Sequence, residues 1–332
     1  MGSTETSDAA SGSLAPRRDR DRDRDRIVVV GQAARDLVLG IDALPEAEGS
    51  TPVSERIERL GGKGANLAAG LRQLNPATRV TLVAVLGTDA SGAHAFDDAA
   101  DSGLDVDHVV RRGRTALLVD LVESDGTRRL LEDVPPEAEL TTDDVIAAVA
   151  AMRDADTVVL QLQQPAEALL AAARAAVDAG ARLALDGAIG GAARDELLAE
   201  ASVVRADARE AALLTGIAIN DLDAARRAAG ALLAHGPDVA AVAVPGAGDL
   251  VAWPGGERFF PFAEHDRTDR TGAGDAFVAG LVMGLRRGDA PEAAGRLAAD
   301  AASSTVQRLG GRPDLGHLVA RHTTRPEETR DA

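Results

Sequence analysis

The chain has 332 residues, of which 45% are hydrophobic, and this is enough to bury one large α/β core or two smaller ones. Its formal net charge is -17 and aromatic residues make up 2%, so it has neither the basic surface nor the stacking side chains that nucleic-acid binding requires. Cysteine is absent, which excludes a disulfide framework, a thiolate metal site and a cysteine nucleophile.

The acidic balance also limits how a phosphate could be bound. An acidic surface repels anionic ligands at long range, so a phosphate site must be built locally from backbone N–H groups, a helix terminus or a single cation. No apolar run approaches the roughly 20 residues that span a bilayer, and the N-terminus lacks a charged-then-apolar signal pattern. We therefore expect a cytoplasmic protein with no membrane and no nucleic-acid partner.

Residues 1–26 form the first segment, which consists mainly of Ser, Thr, Ala, Asp and Arg and has few large apolar side chains. The segment ends in an alternating Asp/Arg run, Asp19 to Arg26. Such a run either solvates the chain or serves as an interaction arm, and balanced alternation favours solvation. We predict a disordered tail over 1–26, a folded domain over 27–316 and a C-terminal tail over 317–332.

The folded domain begins with the apolar run Ile27–Val30, which Gly31 ends, as expected of a strand buried on both faces. Later strands are separated by Ala-rich helical stretches such as 165–179 and 222–234. These strands are predicted at 80–86, 157–162, 182–186, 202–205 and 239–244. Because strand and helix alternate, the pattern predicts a three-layer α/β/α fold with a mostly parallel sheet.

Two stretches, at about 37–60 and 114–133, interrupt this alternation with strands that have no helices. In the second, residues 115–122 and 127–133 flank the turn 124–126, a pattern typical of a β-hairpin. A small antiparallel sheet inserted near the start of an α/β core is the kind of element that closes over a ligand. We predict such a lid, and the alternative is an edge hairpin that only extends the main sheet.

The segment Asp269–Phe277 precedes an apolar helical stretch. At the start of that helix the backbone N–H groups of Gly272, Ala273 and Gly274 would face an anion, because the helix dipole favours negative charge there. Asp275 follows in the first turn, where a carboxylate can accept the proton of a hydroxyl that attacks a γ-phosphate. The alternative is that Asp275 only caps the helix.

A second glycine-rich segment, Gly61–Asn66, precedes an Ala-rich helix. Gly62 would bring backbone close to a ligand, and Lys63 and Asn66 can donate hydrogen bonds to hydroxyls. Lys63 is the only lysine in the chain, so a compact ammonium group is favoured at this position. The segment is not a Walker A loop, since no Ser or Thr follows the lysine. The alternative is a tight turn with a solvated lysine.

Both segments resemble signatures of the ribokinase-like (PfkB) carbohydrate kinase family. Asp269–Phe277 is similar to the second signature, Asp-Thr-Thr-Gly-Ala-Gly-Asp-x-Phe, with Arg270 at a position that is usually small, and Gly61–Asn66 is similar to the first. The resemblance spans residues 27 to about 316. It implies a ribokinase-like fold and an ATP-dependent sugar kinase that uses Mg²⁺, with Asp275 as base and the backbone of 272–274 as anion hole. Lids of this family often pair their small sheets, so it also implies a homodimer through the lid.

Further positions match the functional residues of this family. The substrate-binding matches are Asp36, Gly62, Lys63, Asn66 and Gln163. Asp207 and Glu210 match an Asn-x-x-Glu element near Mg²⁺ and the phosphates, with Asp replacing Asn, and Gly246 matches a nucleotide-binding turn in which Asp249 replaces a second Gly. A monovalent cation site for K⁺ is implied by matches at Asp269, Thr271, Thr305, Arg308, Gly310 and Asp314.

The substrate pocket departs from that of typical ribokinases at two positions, because Ala34 stands for an Asn and Gln163 for a Glu. Gln163 can still hydrogen-bond a hydroxyl, whereas Ala34 has lost a donor and an acceptor that Gln32 on the same loop would have to replace. We favour a kinase for the primary hydroxyl of a small sugar, ribose or a related one.

Two alternatives stay open. A nucleoside kinase of the same family would need an apolar or aromatic base pocket, and the absence of Tyr, Trp and Phe between Gly31 and Leu60 argues against one. A sugar- or nucleotide-binding sensor that has lost catalysis is the other, and the retention of Gly272, Gly274 and Asp275 argues against it.

Overall fold

The computed structural model of the chain describes residues 25–262 and 269–318. Its strands are β1 (Arg26–Val30), β2 (Ala34–Ile41), β3 (Val53–Gly61), β4 (Arg79–Leu86), β5 (Val109–Arg111), β6 (Leu117–Glu123), β7 (Arg128–Asp133), β8 (Thr157–Gln161), β9 (Arg182–Asp186), β10 (Val203–Ala206), β11 (Val239–Val244), β12 (Gly248–Trp253) and β13 (Gly256–Pro261). Nine of them form one sheet in the order β13-β12-β11-β10-β9-β8-β1-β4-β5. The predicted tails lie almost wholly outside the described residues.

The strands from β11 to β5 in this sheet all run parallel, as the alternation of strand and helix predicts. Their apolar runs are buried on both faces, and β8 is buried along its whole length. The predicted strands 182–186 and 239–244 coincide with β9 and β11. The antiparallel pair β12 and β13, which the sequence analysis did not predict, extends one edge of the sheet.

Helices cover both faces of the sheet. They are α1 (Lys63–Leu74), α2 (Ala90–Asp101), α3 (Thr142–Ala147), α4 (Val149–Asp154), α5 (Ala166–Asp178), α6 (Gly191–Glu200), α7 (Ala208–Thr215), α8 (Leu222–Leu233), α9 (Ala273–Arg286) and α10 (Pro291–Thr305), with a short 3-10 helix at Pro136–Ala138. Helices α3 to α8 contribute to the core on one face, and α1, α2, α9 and α10 to the core on the other. In the part of the chain that the structure describes, no helix has the length and apolar character of a membrane span.

Helix α9 is largely buried, and small residues let it pack closely on α10. A Cβ atom on Gly280 would lie 2.6 Å from the Cα of Ala298, and one on Gly284 would lie 2.7 Å from the Cα of Ala294. Since real Cβ atoms do not approach so closely, these glycines fix how near the two helices lie. Their close contact holds the N-terminus of α9 at the carboxyl edge of the sheet.

The lid is a separate sheet of four strands in the order β3-β2-β6-β7. The predicted lid is therefore confirmed, and the alternative of an edge hairpin on the main sheet is wrong. The lid is not purely antiparallel, because its central pair, β2 and β6, runs parallel. It also begins earlier than predicted: β2 starts at Ala34, so Asp36 lies in a lid strand rather than in the loop after β1. In this sheet Asp36 is opposite Arg59 of β3.

Candidate functional site

The predicted site residues converge at the carboxyl ends of the parallel strands, below the lid. Strands β1, β8, β9 and β10 end there, and helices α1, α7 and α9 begin there. Ligands of open α/β sheets bind at this edge. The two glycine-rich segments meet at this point, although they are about 200 residues apart in the chain. Asn66 Nδ2 of the first segment donates to Asp275 Oδ2 of the second at 3.3 Å.

The N-terminus of α9 has no side-chain cap. Gly272 is the N-cap residue with a φ of 70°, and a Cβ atom there would lie 1.8 Å from the carbonyl oxygen of Gly311. Only glycine satisfies both the left-handed backbone and this close approach. The Ala273 N–H reaches the carbonyl of Arg270 at a long 3.4 Å, so the first turn of α9 keeps its capacity to bind an anion.

Asp275 lies in this first turn and is buried. Within the described residues its carboxylate accepts from Asn66 and no side-chain cap is found at the start of α9, which favours a role for Asp275 other than capping. Burial raises the pKa of Asp275 above its usual value, although Lys63 and the hydrogen bond from Asn66 act to lower it. A buried carboxylate with a raised pKa is suited to accept a proton.

Gly61–Asn66 forms the junction between β3 and α1. Gly62 is the N-cap of α1 with a φ of 85°, and a Cβ atom there would lie 2.8 Å from the carbonyl oxygen of Gln32. Lys63 is not a solvated turn residue, because its Nζ lies 2.9 Å from Glu210 Oε1. The nearby carboxylates, Glu210 foremost, raise the pKa of Lys63 against the effect of its burial, so the ammonium form is retained.

Helix α7 presents Asp207 and Glu210 to the same region, but they bond to each other's backbone. Asp207 Oδ1 accepts from the Glu210 N–H at 2.7 Å, and Glu210 Oε2 accepts from the Asp207 N–H at 2.8 Å. This is a capping box. Burial acts to raise the pKa of Glu210, but Lys63 and Arg205 hold it below its usual value.

Two buried charged residues at this edge were missed by the sequence analysis. Asp186 ends β9, and Arg205 lies opposite it in β10. Among the described residues, neither oxygen of Asp186 has a hydrogen-bond partner, nor does Nε of Arg205. Burial raises the pKa of Asp186 to about 7, although Arg205 acts to lower it. The available signal was a pair of charged residues near the carboxyl ends of two adjacent apolar strands.

On the lid side, Asp36 packs over Gly61. A Cβ atom on Gly61 would lie 1.8 Å from the Asp36 carboxyl carbon, so glycine is required for this contact. Asp36 is buried, its Oδ1 has no hydrogen-bond partner, and its carboxylate accepts a backbone hydrogen bond from Gly62. Burial raises its pKa to about 7, with a further upward contribution from Asp120. Arg128 Nε lies 2.5 Å from Asp120 Oδ1.

The amide that faces the site from β8 is not the predicted one. Gln163 is exposed in the loop after β8, whereas Gln161 is fully buried. Gln161 Oε1 accepts from the Gln32 N–H at 3.4 Å, and its Nε2 has no hydrogen-bond partner. Ala34 is also fully buried, at the start of β2. Gln161 therefore has a free donor on the side of Gln32, two residues before the position that the sequence analysis chose.

The residues matched to the nucleotide-binding turn and to the monovalent cation site differ in burial and in hydrogen bonding. Gly246 lies exposed in the turn between β11 and β12 with a φ of 72°, and Asp249 is buried in β12, where burial raises its pKa. Asp269 Oδ1 accepts from the Thr271 N–H at 2.9 Å and its Oδ2 from the Gly310 N–H at 2.8 Å.

The other proposed cation residues make contacts of their own. The Thr305 hydroxyl donates to the carbonyl of Ala301 at 2.9 Å, within α10. Arg308 and Asp314 form an ion pair on the exposed side of this loop. The structure thus joins Asp269, Thr271 and Gly310 through hydrogen bonds, while the side chains of Arg308 and Asp314 bond to each other.

Residues 24–316 match the model of the pfkB family carbohydrate kinases. The chain belongs to this family. This carbohydrate kinase is 30% identical over 267 residues to the ATP-dependent ribose-1-phosphate kinase of Halopiger xanaduensis, an alignment that covers 77% of this chain and 83% of that protein. It is thus a phosphotransferase that acts on a sugar, and the family inferred from the two signatures is confirmed.

Solved structures agree with the fold of the carbohydrate kinase. Arabidopsis thaliana ribokinase complexed with ribose and ATP is 27% identical and superimposes with a TM-score of 0.72, covering 89% of this chain and 97% of that one. The adenosine kinase from Sinorhizobium meliloti, at 22% identity, shares the fold with a TM-score of 0.75, covering 90% of this chain and 98% of that one. The predicted ribokinase-like α/β fold with a lid is confirmed.

Proposed function

We propose that this kinase transfers the γ-phosphoryl group of ATP to a primary hydroxyl of a small sugar, ribose or a related one, with Asp275 as the base. The observation that carries this proposal is the contact between Asn66 and Asp275 beside the uncapped N-terminus of α9. It brings a proton acceptor, a hydrogen-bond donor and an anion-binding backbone to one point. Those are the groups that phosphoryl transfer asks a protein to supply.

Each residue then has a distinct task. Asp275 accepts the proton of the sugar hydroxyl, and its raised pKa keeps proton affinity high for a carboxylate. Asn66 orients the carboxylate by donating to Oδ2. The backbone N–H groups of residues 272–274 would bind the phosphoryl oxygens, and Lys63 adds positive charge near Asp275.

Mg²⁺ fits this site as a companion of the ATP phosphates, where it neutralises phosphate charge. Among residues 25–262 and 269–318, no group of three His, Asp or Glu side chains is arranged to hold a metal ion, and Mg²⁺ usually takes one or two carboxylates together with substrate phosphates. Glu210 would hold it, directly or through water, because its lowered pKa keeps it ionised. Asp207 would assist through the capping box, and Gly246 would line the nucleotide turn.

A monovalent cation is proposed at the loop that Asp269 organises. Asp269 bonds both Thr271 and Gly310, which sets the backbone around the second signature against the segment after α10. Carbonyl oxygens of these two segments would coordinate K⁺, so Thr305, Arg308 and Asp314 would matter through their backbone positions. Turnover in K⁺ at least several-fold above turnover in Na⁺ supports this part of the proposal, and equal turnover contradicts it.

The acceptor is proposed to lie between the lid and the carboxyl edge of the sheet. Asp36 would accept hydrogen bonds from its hydroxyls, with Oδ1 available for this. The unpaired Nε2 of Gln161 supplies a donor close to Gln32, which offsets the loss of side-chain polarity at Ala34. Gln163, which is exposed, would contact the acceptor only at its outer side.

A phosphorylated acceptor is a second candidate, favoured by Arg59. This half-buried arginine lies opposite Asp36 in the lid and donates to the carbonyl of Leu309 at 3.3 Å. Burial lowers the pKa of Arg59, which reflects a cation short of solvent that an acceptor phosphate would stabilise. The relative from Halopiger xanaduensis is named as a ribose-1-phosphate kinase.

The proposal is tested by ATP turnover with Mg²⁺ and K⁺ on a panel of ribose, ribose 1-phosphate, fructose, 2-keto-3-deoxygluconate, adenosine and pseudouridine. Turnover of one sugar, lost in Asp275→Asn, supports the sugar kinase. Turnover of adenosine alone identifies the nucleoside kinase. ATP binding without turnover of any acceptor favours the non-catalytic sensor.

Arg59 decides between the two acceptor classes. If the acceptor carries a phosphate, Arg59→Met raises its KM at least ~10-fold, because a charge-assisted hydrogen bond is lost. The matched control is Arg56→Met, since Arg56 is an exposed arginine on the same strand. A KM that changes equally in both variants argues against a phosphate contact at Arg59.

A further inference from the structure

Arg205 is a buried cation whose guanidinium lies against the first turn of α9. A Cβ atom on Gly274 would lie 2.7 Å from Nη1 and 2.9 Å from Nη2 of Arg205. The absence of a side chain at Gly274 thus leaves room for the guanidinium. The guanidinium also acts to lower the pKa of Asp275, although its effect is smaller than the effects of burial, Lys63 and Asn66.

The pairing of Arg205 is loose for an arginine that is only 11% exposed. Its Nη1 is 3.6 Å from Asp186 Oδ1 and 4.0 Å from Glu210 Oε2, and its Nε has no hydrogen-bond partner. An arginine whose task is to neutralise a buried carboxylate normally makes bidentate bonds of about 2.7–2.9 Å. Within the part of the chain that the structure describes, both oxygens of Asp186 also have no hydrogen-bond partner, so the guanidinium is attracted by its neighbours without being saturated by them.

Negative charge accumulates at this end of the cleft, so a cation that is not already hydrogen-bonded to a carboxylate would favour ATP binding there. Asp186, Asp249, Glu210 and Asp207 all act on Arg205, and ATP would add several more negative charges. Lys63 is already engaged by Glu210 at 2.9 Å. Arg205 therefore supplies unsaturated positive charge where the transferring phosphoryl group would meet the N-terminus of α9.

We propose that Arg205 donates hydrogen bonds to the phosphoryl group during transfer, and that Asp186 positions its guanidinium. This inference rests on the proposed kinase function. In the reaction, the bond from the γ-phosphorus to the ADP oxygen breaks, the bond to the acceptor oxygen forms, and the acceptor proton passes to Asp275. Arg205 exchanges no proton. It stabilises charge on the phosphoryl oxygens while the phosphoryl group moves from the ADP oxygen to the acceptor oxygen.

The first test separates this role from simple neutralisation of Asp186. We expect Arg205→Met to lower kcat ~10²-fold or more, with the acceptor KM changed less than ~3-fold, because the contact forms with the transferred group. Added guanidinium ion at millimolar concentration should recover part of the lost rate. Exposed Arg209 provides the matched control, Arg209→Met, for loss of one positive charge on the neighbouring helix.

The double variant Asp186→Asn with Arg205→Met tests the alternative that Arg205 only neutralises Asp186. If Arg205 only balances the charge of Asp186, removing both charges should restore kcat to near that of the parent protein. If Arg205 acts on the phosphoryl group, the double variant stays as slow as Arg205→Met. Restored turnover, or no rescue by guanidinium together with a loss equal to that in Arg209→Met, overturns the inference.

A binding measurement keeps this test independent of the acceptor. Calorimetry without sugar gives the affinities for ATP and ADP, and we expect Arg205→Met to lower the ATP-to-ADP affinity ratio ~10-fold, since the γ-phosphate loses its partner. An unchanged ratio overturns the inference even if turnover falls. Failure of the proposed function is distinguishable, because then the parent protein phosphorylates no acceptor while the ATP-to-ADP ratio still depends on Arg205.

Discussion

Helices α7 and α9 both begin at the carboxyl edge of the sheet and both carry an acidic residue in the first turn. Their N-termini differ, because that of α7 is capped by side chains and that of α9 is not. In α7, Asp207 and Glu210 bond the helix's own N–H groups. In α9, the N-cap is Gly272 and Asp275 bonds Asn66 instead. The same two ingredients, a helix start and a carboxylate, thus give a closed terminus in one case and an open one in the other.

The difference shows that a first-turn carboxylate carries information only together with its N-cap. An N-cap Asp uses its oxygen on the helix and leaves little for a ligand, whereas a glycine N-cap leaves the N–H groups without a side-chain acceptor. The pKa values follow the same division: that of Glu210 lies below its usual value and that of Asp275 lies above. Four substitutions test this contrast.

The largest effect is expected at the open terminus. Asp275→Asn should lower kcat about 10³-fold, because the amide cannot accept the hydroxyl proton. The fold should persist, since an amide of equal size can still accept from Asn66 and a buried carboxylate with a raised pKa is replaced by a neutral group. Steady-state kinetics with the best acceptor and thermal unfolding measure the two outcomes. A kcat within ~10-fold of the parent protein would remove Asp275 from its role as base.

Gly272→Ala should close the open terminus by force. The added Cβ meets the carbonyl of Gly311 in a left-handed backbone, so we expect a stability loss of about 3 kcal/mol and a kcat lower by ~10²-fold from misplaced N–H groups. Gly288→Ala is the control, because Gly288 has a φ of 84° but no atom near its Cβ position. It should cost about 1 kcal/mol and leave kcat unchanged. Equal effects in the two variants would contradict the close-approach argument.

Lys63 connects the two termini, and its removal should move a pH profile. Asp275 must be ionised to act as base, so kcat/KM falls as pH falls through its pKa, which burial raises above the usual value of an aspartate. Lys63 acts to lower that pKa, so Lys63→Met should move the acid limb to higher pH. Lys63→Arg, which keeps the charge, should leave the limb close to its original position. A limb that stays in place in Lys63→Met refutes this coupling.

The smallest effect is expected at the closed terminus. Asp207→Ala removes the acceptor for the Glu210 N–H and should lower the unfolding free energy by about 1 kcal/mol. Asp207→Ser retains a capping oxygen and should recover most of that loss. Urea unfolding of the three proteins measures both changes. No difference between Ala and Ser would mean that the capping box does not stabilise α7.

The sequence was sufficient for the central parallel strands of the main sheet and for the two segments that meet in the site. Buried parallel strands have continuous apolar runs, so β9 and β11 were located with correct bounds. The signature segments were recognisable because glycine is required at Gly62 and Gly272 by backbone conformation and close approach. The antiparallel edge strands β12 and β13 were missed, since β13 is largely exposed and lacks a continuous apolar run.

The missed site residues depend on strand register, which a single sequence does not reveal. Asp186 and Arg205 are 19 residues apart and become neighbours only because β9 and β10 pair in this register. Gln161 and Gln163 differ by two residues, and their environments diverge because β8 ends at Gln161.

The lid is joined by a short connection to the helix that carries Lys63 and Asn66. Strand β3 ends at Gly61 and helix α1 begins at Lys63, so one residue, Gly62, joins the lid sheet to the helix that carries Asn66. Any tilt of the lid therefore acts as a lever on Lys63 and, one turn further along α1, on the partner of Asp275. If Asp36 binds the acceptor and Asp275 is the base, as proposed, acceptor binding at the lid and orientation of the base are coupled through this link, so an acceptor that makes no contact with the lid would leave Asp275 less well oriented.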